Sequence, residues 1–313
     1  MTAITNKETE STNYHTPVLL HESIEGLNIK ADGIYVDCTF GGGGHSQLIL
    51  SKLGKNGKLF AFDQDADAAK NVPIADDRIT FIPQNFKHLQ RFLRLHNVTE
   101  VDGILADLGV SSHQFDEAAR GFSFRFDADL DMRMDQRQQI TAAAVLKKNT
   151  EQQLHKMFEW YGEVTNAKTL AKTIVEHRKI TTIQTIQDFK TAIESIVKGN
   201  PQKYWAQVFQ ALRIEVNDEL NALKDMLVQA LAVLKNGSGR LAVITFHSLE
   251  DRLVKHFLKN GSFETVEDVH NMFGTKHENP FNIISKKPIV ASTTEMKINS
   301  RSRSAKLRVA EKK

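Results

Sequence analysis

Apolar residues in the first third of the chain come in short runs, each stopped by a polar residue or a glycine. Ile34-Tyr-Val-Asp-Cys38 follows an Asp32-Gly33 turn and reads as a first strand. Lys58–Phe62, Ile79–Ile82 and Val101–Ala106 read as three more. Helical spacings lie between them, such as Leu48, Ile49 and Leu53 closed by Gly54. Strands alternating with helices predict βαβ units and a parallel sheet, which binds ligands beyond the carboxyl ends of its strands. Asp37, Asp63 and Asp107 stand at or near three of those ends, and the remaining one leads to Asn85-Phe86.

From about Phe115 to Asn217 the strand signals vanish and the period becomes helical. Thr150-Glu-Gln-Gln153 is a capping box, and Leu154, Met157, Phe158 and Tyr161 follow it on one helical face. Ala167 to Val175 and Ile186 to Ile196 carry two further stripes, the latter ended by Gly199. Tyr204 to Leu234 predicts one long helix or two stacked ones, with a break at Asn217-Asp218, before Arg240–Phe246 resumes the sheet. The fold class expected is α/β: a Rossmann-like sheet domain built from 1–114 and 218–313, interrupted by an all-helical domain at 115–217. Ser248-Leu-Glu-Asp251 reads as another capping box, starting a helix with Leu253, Val254 and Phe257. His247 beside it either packs at the sheet edge or touches the substrate.

Composition narrows the function classes. At 313 residues, 41% hydrophobic and 25% charged, the chain suits two globular domains and excludes collagen-like or largely disordered readings. No apolar run approaches the roughly 18–20 residues that span a bilayer, and the N-terminus is polar rather than leader-like. The single cysteine, Cys38, permits neither an intrachain disulfide nor a cysteine metal cage, so a cytoplasmic location is expected. The histidines form no H-E-x-x-H, and the ligands of a zinc cytosine deaminase are missing. Net charge is a mild +3, yet Arg301–Lys313 holds six Lys/Arg against one Glu. That segment reads as a basic C-terminal tail, either solvated or leaning on phosphate.

The Gly41–Gly44 loop between the first strand and its helix would let a ligand approach the backbone and the helix N-terminus. It fails the dinucleotide fingerprint G-x-G-x-x-G/A in both registers, placing Ser46 or Gln47 where the third small residue belongs. This argues against NAD and for a nucleoside ligand without a pyrophosphate. Asp63, twenty residues past Gly43, is placed to accept ribose hydroxyls. Phe86 either lies against an adenine face or belongs to the core.

Several longer strings carry a resemblance. They are His15-Thr-Pro-Val-Leu-Leu20, the glycine loop ending in His45, Asp107-Leu-Gly-Val-Ser-Ser-His-Gln114, Arg120-Gly-Phe-Ser-Phe124 and Leu130-Asp-Met-Arg-Met-Asp135. Phe209-Gln-Ala-Leu-Arg-Ile214, Phe246-His-Ser-Leu-Glu-Asp-Arg252 and Arg301-Ser-Arg-Ser-Ala-Lys-Leu-Arg308 complete the set. Together they closely resemble the S-adenosylmethionine-dependent methyltransferases that methylate the exocyclic N4 of a cytidine in the decoding region of bacterial 16S ribosomal RNA. The resemblance implies that Gly43, Gly44 and His45 line the amino-acid end of S-adenosylmethionine, Asp63 its ribose and Phe86 its adenine, while Asp107 and Gln114 close the site near the methyl. Asp107 is then the catalytic candidate that orients the sulfonium and the target amine, with Ser111 a second contact to the base. The implied partner is 16S rRNA within the small (30S) subunit, with no membrane; a homodimer is left open. Gln202-Lys-Tyr-Trp205 and Lys147-Lys148-Asn149 depart from the family pattern, inside the helical insert. The rival classes are a nicotinamide dehydrogenase, a non-catalytic ribosome-assembly protein and a DNA amino-methyltransferase.

Overall fold

The computed structural model describes residues 17–263 and 278–313, so His15 and Thr16 of the first quoted string lie outside the described residues. Strands β1 (Ile34–Asp37), β2 (Lys58–Phe62), β3 (Ile79–Ile82), β4 (Gly103–Asp107) and β5 (Arg240–Thr245) fall where the apolar runs place them. With β6 (Phe281–Ile283) and β7 (Lys306–Lys312) they form a seven-stranded sheet of order β3-β2-β1-β4-β5-β7-β6. The first five strands are parallel, and β7 runs antiparallel to β5 and β6.

Alternation along each strand explains why both faces are covered. Val36, Ile104, Ala106, Leu241 and Val243 join one apolar cluster, whereas Tyr35, Leu105, Ala242 and Ile244 join the other. Successive strand side chains point to opposite faces, so a near-continuous apolar run means burial on both. Helices α1 (Leu20–Leu27) and α2 (Gly44–Lys52) cover the second face with Ile24, Leu27 and Ile49. The first face is covered by α3 (Leu89–Leu95), and helices after Asn217 add Leu223, Leu227, Val254 and Phe257.

The path then leaves β4 through a short α4 (Ser112–Asp116) into α5 (Ala142–Lys148), α6 (Glu151–Trp160), α7 (Ala167–His177), α8 (Ile186–Ile193) and α9 (Pro201–Asn217). Their apolar stripes pack on one another in a cluster running from Phe122 to Val216, with Phe158, Leu170, Phe189 and Leu212 at its centre. The Thr150–Gln153 capping box is formed. Asp218 adopts φ 51° and ends α9, so the apolar stretch from Tyr204 is two helices, the second being α10 (Glu219–Val233). Asn217 at this break accepts from Met134 N at 2.8 Å and donates to Met132 O at 2.8 Å, tying down the Leu130–Asp135 string. Within that string Arg133 pairs with Asp131 at 2.7 Å. Among the described residues no helix is long and apolar enough to cross a membrane.

Two expectations are corrected. The basic C-terminus is not a tail: Lys306–Lys312 is β7, inserted between β5 and β6, with Leu307, Val309 and Ala310 buried. Two of its cations are paired with one carboxylate, Arg308 with Asp251 at 2.7 Å and Lys306 with Asp251 at 3.3 Å. Alternation of Leu307 and Val309 with polar residues is a strand signal, and it outweighs the local excess of charge. The helix α11 (Ser248–Asn260) begins one residue earlier than Ser248-Leu-Glu-Asp251 suggests. His247 is its N-cap and Glu250 closes the box, because Asp251 is drawn away to Arg308 and Lys306.

Candidate active site

The direction of strand order reverses between β1 and β4, where the loops that follow diverge and leave a crevice. The register sets Asp37 level with Ala61 and Leu105, and Asp107 level with Ile244, so the acidic strand ends share one edge of the sheet. Asp37 is fully buried, holding Ser46 Oγ at 2.7 Å and Thr39 N at 3.0 Å. Thr39 Oγ1 in turn accepts from Asp107 N at 2.7 Å, which locks the β1 loop to the end of β4.

The glycine loop is shaped by two constraints. Gly43 caps α2 at φ 80°, a left-handed conformation that side chains with a Cβ resist, and a Cβ at Gly44 would stand 2.2 Å from Pro17 Cγ. Pro17 and Val18 of the N-terminal string thus abut the loop, and His45 Nε2 lies 3.2 Å from Val18 O. Gly41 N donates to Asp63 Oδ2 at 2.7 Å, and the space where a Gly41 Cβ would lie is open.

These contacts set the electrostatics. Burial pushes the Asp63 carboxyl up to about 6, against the opposing pull of the Asp65 and Gly41 N–H groups. Burial also lifts Asp107 well above the usual carboxylate range, and the nearby Asp37 and Glu250 charges lift it further. His45, buried beside Asp37, is held below the ordinary imidazole value, with burial outweighing the Asp37 attraction. Its Nδ1 lies 3.8 Å from Asp107 Oδ2, while Asp107 Oδ1 is buried without any hydrogen-bond partner. A buried carboxylate oxygen with nothing to accept is costly, so the chain by itself leaves the Asp107 carboxyl poorly satisfied.

The other sequence-predicted residues lie around this centre. Phe86 opens a 3-10 turn (Phe86–His88) after β3, half-buried against the sheet core. Ser111 is the N-cap of α4, its hydroxyl accepting from Gln114 N at 3.1 Å while Gln114 Oε1 accepts from Ser111 N at 3.1 Å. Gln114 Nε2 then reaches the buried Asp65 at 2.7 Å. So Gly43, Gly44, His45, Asp63 and Asp107 meet about the β1–β4 crevice, and Ser111 with Gln114 forms the start of the segment that leads away from it.

Sequence reasoning missed Asp65 and Arg120. Arg120 Nη1 donates to Asp65 Oδ2 at 2.7 Å, and Nη2 reaches Arg133 O and Met134 O at 3.1 Å, all largely buried. This pair bolts the loop after β2 to the chain beyond α4. Only the Arg120-Gly121 string hinted at it, since a contact across 55 positions leaves no periodic trace. Arg120→Ala should lower stability by about 3–5 kcal/mol, because it leaves a buried carboxylate without its cation. An unchanged urea midpoint in equilibrium unfolding would show that this pair does not hold the loops together.

A glycine turn after β1, a carboxylate after β2 and an orphaned carboxylate oxygen at the end of β4 fit a nucleoside-bearing cation. On a sheet of order 3-2-1-4-5-7-6 they define a Rossmann-like methyltransferase that uses S-adenosylmethionine. The profile of the MraW methylase family matches residues 12–313, and the chain belongs to that family. It is 55% identical to ribosomal RNA small subunit methyltransferase H of Azobacteroides pseudotrichonymphae over 96% of this chain and 98% of that protein. Against the protein of the same name from Flavobacterium johnsoniae, identity is 54% over 97% of this chain and 99% of the relative. Among solved structures, a rRNA methylase from Streptococcus thermophilus is 14% identical, with 94% of this chain and 95% of that chain covered at a TM-score of 0.39.

Proposed function

We propose that the protein methylates small-subunit ribosomal RNA, and that the acceptor is the exocyclic N4 of a cytidine in 16S rRNA. Membership of the MraW methylase family and the name shared by its relatives support the RNA class. The single observation that carries the chemistry is the buried, unpartnered Oδ1 of Asp107 at the end of β4.

S-adenosylmethionine supplies, when bound, a methyl already activated by a sulfonium, which leaves alignment and desolvation to the protein. Gly43, Gly44 and His45 line the amino-acid end, Asp63 accepts the ribose hydroxyls, Phe86 flanks the adenine, and Gln114 closes the site. The lone pair of cytosine N4 is conjugated into the ring, so the amine becomes more acidic as it attacks and must shed a proton. The Asp107 carboxylate accepts the N4–H, orients the amine and stabilises its developing positive charge. Ser111, whose hydroxyl hydrogen is not used in its cap, donates to the base.

Residues 115–217 serve as the substrate-recognition domain on a cofactor domain formed by 1–114 and 218–313. An assembled 30S particle is the favoured substrate, since one internal cytidine is found by shape more readily than by sequence. The test is transfer of labelled methyl to small subunits that lack the modification, followed by nucleoside mass analysis. Label is expected in N4-methylcytidine or its 2′-O-methylated form. Label in any other nucleoside would overturn the N4 assignment.

A further inference from the structure

The segment Arg301–Lys306 crosses the ligand edge of the sheet and is fixed at both ends. At one end the Arg301 guanidinium lies 5.0 Å from the Phe115 ring centroid and pairs with Asp116 at 3.0 Å, both on α4. At the other, Lys306 begins β7 and shares Asp251 of α11 with Arg308. Between these anchors Ser302 is buried and donates to Asn299 O at 2.7 Å, so the turn that presents Arg303 and Ser304 is held in shape.

Arg303, Ser304 and Lys306 line a cavity of about 280 Å³ together with His247 and Ser248. Arg303 is exposed and has no carboxylate partner among the described residues, unlike Arg301, Lys306 and Arg308. Ser248 opens the 13-residue α11, whose first N–H groups have no partner within the helix. The His247 side chain is 9% exposed on the same cavity, and its Nε2 faces away towards carboxylates, 3.2 Å from Glu250 Oε1. The acidic residues of this first turn are already engaged: Glu250 accepts from Phe246 N at 2.8 Å, and Asp251 holds two cations. A free guanidinium, two hydroxyls and a helix N-terminus converging on one hollow are the chemistry of a phosphate site.

Its position ties it to the reaction. Asp107 is level with Ile244 of the neighbouring strand, and Phe246, two residues on, borders the cavity. A Cβ on Gly109, in the loop after Asp107, would lie 3.7 Å from the Phe246 ring. The hollow is therefore one strand away from the carboxylate, as adjacent strands stand about 4.7–4.9 Å apart.

We propose that this cavity binds a backbone phosphodiester of the substrate RNA beside the target nucleotide, with Arg303 as its charged contact. The inference rests on the RNA reading above. It is tested in the full-length protein with Arg303→Glu and Arg303→Lys, by binding to and methyl transfer onto unmodified small subunits between about 50 and 200 mM salt. Arg303→Glu should raise the KM and the dissociation constant for subunits about tenfold and reduce the log–log salt slope by about 1, with kcat and S-adenosylmethionine affinity unchanged. Arg303→Lys should keep the wild-type slope. Wild-type affinity and slope in Arg303→Glu would overturn the phosphate site. Wild-type binding without methyl transfer would overturn the proposed reaction yet still let the slope decide the role of Arg303. If the wild-type protein does not bind the subunits, both fail.

Discussion

Asp107→Asn should lower kcat for methyl transfer by about 100- to 1,000-fold, the range spanned by losing a positioned proton acceptor in a water-poor site. The loss should come without unfolding. Asp107 has a carboxyl held well above its ordinary value by burial, with Asp37 and Glu250 adding to the effect. A carboxyl raised in the folded state binds its proton more tightly there than in the unfolded chain. Ionising it therefore costs stability as pH rises from the unfolded value towards the folded one, and the cost is complete above the folded value. The neutral amide escapes that cost, so the variant should melt at or above the wild-type temperature while its turnover collapses. In the wild type, kcat/KM should rise with pH as Asp107 loses its proton, and in Asp107→Asn that limb should flatten. A cationic ligand beside Asp107 favours its charged form, so the corresponding limb of kcat should lie at lower pH. Undiminished turnover in Asp107→Asn would remove this residue from the chemistry.

The second large effect concerns Asp63. Its carboxyl is pushed up to about 6 by burial, although Gly41 N and Asp65 N both donate to it. Ribose hydroxyls donating to the same group need the ionised form. Affinity for S-adenosylmethionine should therefore be level above about pH 7 and fall as pH drops through 6, by up to about tenfold per unit. Binding near pH 6 should release protons, because the added hydrogen bonds pull the carboxyl back down. Titration calorimetry in buffers of different ionisation enthalpy reads both quantities. Asp63→Asn should weaken binding roughly 10- to 100-fold, matching the loss of a charge-assisted hydrogen bond of about 1.5–3 kcal/mol, and should abolish the pH dependence. In the ligand-free protein the ionised group is destabilising, and that cost grows as pH rises from 3.8 to about 6. An affinity that ignores pH across this range would separate Asp63 from the ribose.

Much of the site was legible because strands announce themselves locally. The runs ending at Asp37, Asp63 and Asp107 are strands, and parallel pairing then places their ends on one edge whatever the distance in sequence. The same locality made the helical stripes from Leu154 to Ile193 readable, since a buried face repeats every 3.6 residues. Capping was readable too, but only to within a residue: Thr150 was found, whereas the start of α11 moved to His247 once Asp251 had been taken by β7.

The places of β1 to β5 along the chain and the residues at their ends were determined by the sequence itself, because Cβ direction and turn chemistry act between near neighbours. Tertiary structure alone decided that Lys306–Lys312 is a sheet strand, that Arg120 neutralises Asp65 and that Asp107 keeps an unpartnered oxygen on a carboxyl whose pKa is raised by burial and further by Asp37 and Glu250. Those outcomes depend on charge, burial and distance between groups far apart along the chain. Such quantities come into being only when the sheet has brought the groups together.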